Sequence, residues 1–440
     1  MYASEIRERT NETLRETVLE RRHESGLRVC LCPRPGFQKR YACFATDFGS
    51  TDVRFRRHGA DRWIDVPDGV AHFLEHKLFE EEDGMNAMDK FSARGASSNA
   101  YTSFDTTNYL FSAADQFYEN LSTLVDFVQS PHFTDENVEK EKGIIGEEIG
   151  MSDDSAGRRI YFNLLEALYH RHPIHKHILG TRETIATIDK ELLYECHRTF
   201  YHPQNMILFA TGDLDPGEYF EFADRILGRR AHEPLGELER WIPEEPGSVR
   251  LPSIEAAMEL SIPRLYLGIK DRDVGYGGRR LFEREQVTEI LLEILFGHGS
   301  SLFESLYEEE LVDEGFSSSY SGGVEVGYSI IGGETPDPER LDARIREEIH
   351  RARRDGIDPE DFERQRRATM GSLFRYFNSL EFIANHYCSY AFADIDLFDV
   401  IDVLHSIEHR DLEQRLRDHF TDDAIALSIL RPSAEAGGTT

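Results

Sequence analysis

Apolar residues recur along this chain with two different spacings. "YACFATDFGS" (41–50) and "NMILFATGDL" (205–214) read as strands, whereas "MNAMDKFSARG" (85–95) and "LSTLVDFVQS" (121–130) place their apolar residues at helical spacing. A long helix is predicted from near Thr134, and another from about Gly157 to His170. The paired runs in "NAYTSFDTTNYLFSA" (99–113) predict an antiparallel hairpin rather than parallel crossovers. Strands and helices that alternate in this way predict an α+β fold, with helices packed on one face of a mainly antiparallel sheet.

That pattern repeats. "TIDKELLYECHRTFYHPQNMILFATGDLDP" (187–216) lies beside "SIEHRDLEQRLRDHFTDDAIALSILRP" (406–432) with about one gap. Each has a polar start, an amphipathic helix ending at Phe200 or Phe420, a turn and a strand. Self-similarity on this scale implies two duplicated domains. Between them, residues 229–258 carry four prolines and no sustained period, which reads as a linker. The expected division is a first domain over 1–232, a linker over 233–255 and a homologous second domain over 256–440.

Composition agrees with two packed domains. The chain has 440 residues, more than one core usually serves, with 40% hydrophobic and 30% charged residues. Its 28 Phe and 18 Tyr set it apart from disordered sequences. Acids outnumber bases 82 to 50, for a net charge of -32, so a polyanion is repelled overall. Nucleic acid and anionic membranes are therefore not expected as partners. Only eight bases are Lys, and the acids are spread along the chain, as on a well-solvated surface or in a salty habitat. No run approaches the roughly 18 apolar residues that cross a bilayer, and the first residues hold no apolar core for export. Five cysteines make an odd, sparse set, unlike a disulfide framework. Cys30 and Cys32 in "VCLCP" point the same way on a strand, as buried small hydrophobes do. A cytoplasmic protein with reduced thiols is expected.

Against this background stands "HFLEH" (72–76). "DGVAHFLEHKLFEEE" reads as a helix with Asp68 as N-cap and an apolar stripe of Val70, Phe73, Leu74 and Leu78. His72 and His76 are then one turn apart on one face, where both can hold a single ion. Glu75 can face that ion without binding it, take a proton from water and pass it to a leaving amine. A catalytic zinc needs a third protein ligand. On a helical wheel of "ENVEKEKGIIGEEIGM" (136–151), Val138, Ile144, Ile145 and Ile149 share one side. Glu141 and Glu148 fall inside that apolar sector and Glu147 at its edge. A carboxylate aimed into a core needs a metal or donor to offset its cost. Glu148 is thus the expected third ligand, and Glu141 a carboxylate that orients a ligating histidine.

The inverted H-x-x-E-H order, "EKEKGIIGEEI", the strand "NAYTS" and "FYHPQNMILFATGD" together resemble the pitrilysin or insulinase-like zinc peptidases, the inverzincin group that includes mitochondrial processing peptidase. The resemblance spans nearly the whole chain and is strongest over 66–216. It implies one zinc ion per chain on His72, His76 and Glu148, with Glu75 as general base. It also implies that Asn99 and Ala100, on an exposed sheet edge, hold an extended peptide through its backbone. One departure stands out. Where many self-sufficient members carry an Arg and, seven residues on, a Tyr, this chain has Tyr307 and Glu314. That implies a sister subunit, or a homodimer with a modified site. A last cluster, "HRHPIHKH" (170–177), holds four histidines, but Pro173 breaks any helix, and a structural or surface role is expected. The function expected is a zinc endopeptidase acting on extended or small peptides. The alternative is a catalytically silent scaffold or peptide-binding subunit of a heteromeric peptidase.

Overall fold

The computed structural model describes residues 5–57, 60–82, 84–230, 232 and 234–433. Strands β1 (Arg7–Asn11), β2 (Glu16–Arg22), β3 (Arg28–Pro33), β4 (Arg40–Thr46), β5 (Arg54–Arg57) and β6 (Ile64–Asp65) precede helices α1 (Val70–Leu78) and α2 (Ala87–Ser92). The hairpin of β7 (Ser97–Thr102) and β8 (Thr107–Ala113) leads into α3 (Phe117–Gln129), α4 (Asp135–Asp153) and α5 (Ala156–Leu168). Then come α6 (Arg182–Ala186), α7 (Lys190–Phe200), β9 (Met206–Gly212), α8 (Pro216–Leu227) and β10 (Leu238–Arg240). The second half begins with β11 (Ser253–Met258), β12 (Arg264–Lys270), α9 (Gly278–Phe296) and α10 (Ser301–Glu308). It continues with β13 (Ser317–Gly322), β14 (Gly327–Glu334), α11 (Pro338–Asp355), α12 (Pro359–Tyr376) and α13 (Leu380–Phe392). It ends with α14 (Val400–Ser406), α15 (His409–His419) and β15 (Ile425–Pro432).

The duplication is written in the sheets. The first has the order β1-β2-β3-β9-β4-β8-β7, the second β11-β15-β12-β14-β13. Five strands of the first recur in the second in the same sequence of neighbours. In both, only the pair β3/β9 or β11/β15 is parallel, and every other pair is antiparallel. The fold is therefore α+β with two duplicated, mainly antiparallel sheets. The matched segments 187–216 and 406–432 become α7 and β9 in one half and α15 and β15 in the other, each joined by a short 3₁₀ turn.

Two compact units result, and each draws on both halves of the sequence. One comprises 1–149, 177–241 and 374–392, the other 150–176, 242–373 and 393–440. This differs from the continuous halves that the duplication suggests. In the first unit, Ala42 and Phe44 of β4 and Leu208 and Ala210 of β9 join the core with Phe73, Leu124 and Phe220. The opposite face of the same strands is covered by α13. Tyr41 donates to Asn385 at 3.1 Å, Cys43 and Cys388 bring their sulfurs to 3.6 Å, and the Phe209 and Tyr387 rings lie 4.7 Å apart. All of β9, and all of β4 except Arg40, are therefore buried. In the second unit α5 fills the equivalent place. Tyr161 meets Tyr328 at 2.6 Å, Lys270 donates to the Leu168 carbonyl at 3.0 Å, and Leu164 occupies the space above Gly268.

The expected linker contains structure of its own. β10 pairs antiparallel with β5, and Arg240 holds Asp52 at 2.7 Å and Asp47 at 2.9 Å. Among the described residues no helix is long and apolar enough to cross a membrane.

Candidate metal centre

α1 starts where two chain segments cross. Gly69 has φ 92° and a Cβ there would lie 2.4 Å from the Leu179 carbonyl oxygen; Gly180 has φ 73° and a Cβ would lie 2.3 Å from that of Asp68. Only glycine adopts this geometry without strain at such close approach. The N-cap is accordingly Gly69, without a side-chain cap bond, and not Asp68 as the sequence suggests. Val70, Phe73, Leu74 and Leu78 are all buried, so the apolar stripe fixes the rotation of the helix about its axis. His72 and His76 then stand one turn apart with ring centroids 4.5 Å from each other.

α4 is oriented in the same manner by Val138, Ile145 and Ile149, which are buried. Glu148 Oε2 lies 3.6 Å from His72 Nε2 and 3.5 Å from His76 Nε2. Among the described residues, His72, His76 and Glu148 form the one group of three ligating side chains, with donor atoms all within 4.8 Å of one another. Two imidazole nitrogens and a carboxylate oxygen suit zinc, and ligands about 2.0–2.2 Å from a tetrahedral ion are roughly 3.3–3.5 Å apart. The donor set fits. Glu147 points outward near Arg182, 3.8 Å away. Ile144, placed with the core on the wheel, is instead 47% exposed. It lines a cavity of about 350 Å³ with Glu75, His76, Phe79, Met85, Met88 and Glu141.

Glu141 is buried and its Oε1 lies 3.1 Å from His76 Nδ1. With Nδ1–H donating to this carboxylate, Nε2 keeps its lone pair toward Glu148. Burial alone raises the Glu141 pKa, but the His76 bond and the Lys77 charge outweigh it and hold the carboxyl below its usual range. For His76, burial favours the neutral ring, yet the bond to Glu141 and the charges of Glu75, Glu141 and Glu148 leave its pKa raised. Lys77, which sequence reasoning passed over, is fully buried, 2.7 Å from Glu80 Oε2 and 3.6 Å from Glu141 Oε2. The signal was available, since Lys77 falls on the apolar stripe, three residues after Leu74 and four after Phe73.

Glu75 is also buried, and burial pushes its pKa up against the opposing pull of Thr102 and His76. Thr102 Oγ1 donates to its Oε2 at 2.6 Å. Thr102 ends β7, which is an edge strand of its sheet and carries Asn99, exposed, and Ala100, half-buried. These two pair with Leu110 and Tyr109 of β8. Tyr307 and Glu314 belong to the other unit and are exposed; the Tyr307 ring stacks on Phe303 at 5.8 Å. In the histidine-rich stretch the backbone N–H groups of His170, Arg171 and His172 donate to Glu245 at 2.8, 2.8 and 2.9 Å. Lys270 adds a fourth bond at 2.6 Å. Against the effect of burial, these donors hold the Glu245 carboxyl down to about 2. The stretch builds a structural joint and contributes to no group of three metal donors among the described residues.

A duplicated α+β fold with two histidine donors on an inverted H-x-x-E-H helix and a glutamate donor from α4 is the arrangement that marks inverzincin-type zinc peptidases. Comparison with known proteins narrows this. The family model described as Insulinase (Peptidase family M16) matches residues 65–182, and that described as Peptidase M16 inactive domain matches 187–369. The Bacillus subtilis (strain 168) protein named uncharacterized zinc protease YmfH is 41% identical over 96% of this chain and 98% of its own length. A crystal structure described as an M16-like peptidase from Alicyclobacillus acidocaldarius aligns with TM-score 0.91 and 39% identity, over 98% of each chain. Pitrilysin shares the fold at TM-score 0.75 and 17% identity, over 97% of this chain and 46% of pitrilysin. The chain belongs to the insulinase-like M16 peptidase family.

Proposed function

We propose that this chain is a zinc-dependent endopeptidase hydrolysing extended or small peptides, with one zinc ion per chain on His72, His76 and Glu148. The observation that carries this reading is the convergence of those three donors beside buried Glu75, at the end of an open edge strand. Zinc supplies Lewis acidity, which polarises a peptide carbonyl and acidifies water. Glu75 accepts a proton from the attacking water and returns it to the leaving amine; a carboxyl with a raised pKa is the better base and acid near neutral pH. Glu141 holds the His76 ring and fixes which nitrogen carries its proton. Asn99 and Ala100 offer the free edge of β7 to an extended backbone, which selects for conformation more than for sequence.

A sister family subunit or a second copy of this chain completes the site in this reading. Two observations support it: Tyr307 and Glu314 stand where the resemblance implies an Arg and a Tyr, and this chain matches less than half of pitrilysin's length. Five cysteines without a disulfide, all buried, support a cytoplasmic setting. A catalytically silent, peptide-binding subunit is the second reading, favoured by the inactive-domain match over 187–369. The test is metal analysis with hydrolysis of unstructured peptides, comparing wild type with Glu75→Gln. Zinc should stay bound in both, while turnover falls by about 10²–10⁴-fold in the variant. Equal turnover would remove Glu75 as base. A zinc-loaded wild type inert with and without a sister subunit would establish the silent reading, and a fully active monomer would remove the need for a partner.

A further inference from the structure

Thr102 sits where the proposed peptide-holding strand meets the proposed base. Among the described residues its hydroxyl gives the Glu75 carboxylate the one hydrogen bond it receives, at 2.6 Å. Nearby, the Tyr109 and Tyr201 hydroxyls bond each other at 2.8 Å, and the Phe79 ring packs 5.9 Å from that of Tyr109. A carboxylate on a flexible stem in such a pocket has several rotamers, and one short bond from a fixed hydroxyl selects among them.

The hydroxyl itself is held still. Thr107, paired with Thr102 across the hairpin and fully buried, donates to the Phe48 carbonyl at 2.9 Å, and its oxygen lies 3.4 Å from that of Thr102. The turn that follows is tied by Ser103, whose N–H donates to the Thr106 carbonyl at 2.8 Å and whose Oγ receives the Thr106 N–H at 3.0 Å. Gly49 closes over it, since a Cβ there would sit 2.3 Å from the Asp105 nitrogen. Thr102 is thus a rigid donor, and rigidity in the supporting groups is what holds a reactive side chain within a fraction of an ångström.

We propose that Thr102 is a positioning residue for Glu75: it clamps Oε2 so that Oε1 is presented to the attacking water, and links engagement of a peptide on β7 to the placement of the base. This rests on the peptidase reading for its catalytic consequence, but the clamp itself is a property of the metal-free protein. The test compares full-length wild type, Thr102→Val and Thr102→Ser, with Glu75→Gln as reference. In the metal-free proteins, the infrared carboxylate band of Glu75, located by the wild type minus Glu75→Gln difference, should shift in Thr102→Val and return in Thr102→Ser. With zinc, kcat on an unstructured peptide should fall about 10- to 100-fold in Thr102→Val, with KM within about twofold and zinc content unchanged, and recover in Thr102→Ser. An unmoved band overturns the clamp whether or not the protein hydrolyses peptides. A moved band with an active wild type and unchanged kcat overturns the catalytic role alone; equal activity of Glu75→Gln would remove Glu75 as base, and a zinc-loaded wild type that is inert would instead bring down the peptidase reading.

Discussion

On the Glu141 side chain two demands meet: Oε1 accepts a hydrogen bond from His76 Nδ1–H at 3.1 Å, and Oε2 lies 3.6 Å from buried Lys77. Glu141→Gln keeps the shape and removes the charge, so His76 loses the anion that makes its Nε2 a stronger donor. Zinc affinity should drop by roughly 10- to 100-fold, read by competition with a chelator of known strength. An unchanged affinity would show that Glu141 serves only the packing of α4. The histidine pair, Glu75, Glu141 and Glu148 were legible in the sequence because they combine a short spacing with carboxylates on the buried side of a helix. Ile144 was misplaced for a related reason. A wheel gives the angle of a residue but not whether a neighbour fills the space opposite, and here that space is a cavity. Thr102 carries no legible role within "NAYTS", because its partner lies 27 residues back and no period links a strand end to a helix.

At the scale of elements, the least legible feature is the reciprocal placement of α5 and α13, each in the unit built mainly from the other half. An apolar stripe on a helix declares that one side is buried without saying against which sheet. The sequence did hold half of the message. "YACFAT" and "MILFATG" do not alternate, and strands apolar on both faces need two covers. For β4 and β9 the second cover is α13, which meets Tyr41, Cys43 and Phe209. A fragment joining residues 1–149 to 177–241 through a flexible linker, which leaves out α5, should therefore expose that face, bind a hydrophobic dye and aggregate. Linking residues 374–392 to its end should restore a soluble, cooperatively melting protein with reduced dye binding. A fragment that melts cooperatively without them would mean that α13 adds nothing essential to the first sheet.

Across the whole molecule the dominant physical quantity is the charge of -32, and it acts in a direction opposite to the many ion pairs. Exposed pairs such as Arg279 with Glu283, or Arg364 with Asp361, are each worth about 0–1 kcal/mol and weaken as salt is added. The excess acids repel one another over longer distances, and added salt removes that repulsion first, because the screening length falls from about 10 Å at 0.1 M to about 3 Å at 1 M. Pairs in direct contact lie within or near that length, whereas repulsion between charges farther apart than it is screened. Repulsion among the acids therefore loses more than the pairs do, and the folded state gains. The melting temperature should rise as KCl is increased from about 0.05 M to 1 M. The slope should flatten when exposed acids such as Glu12, Glu24 and Asp61 are replaced by Lys, since each change removes one source of repulsion and adds a counter-charge. A melting temperature that falls with KCl would show that the contact pairs, and not the net charge, set the electrostatic balance of this fold.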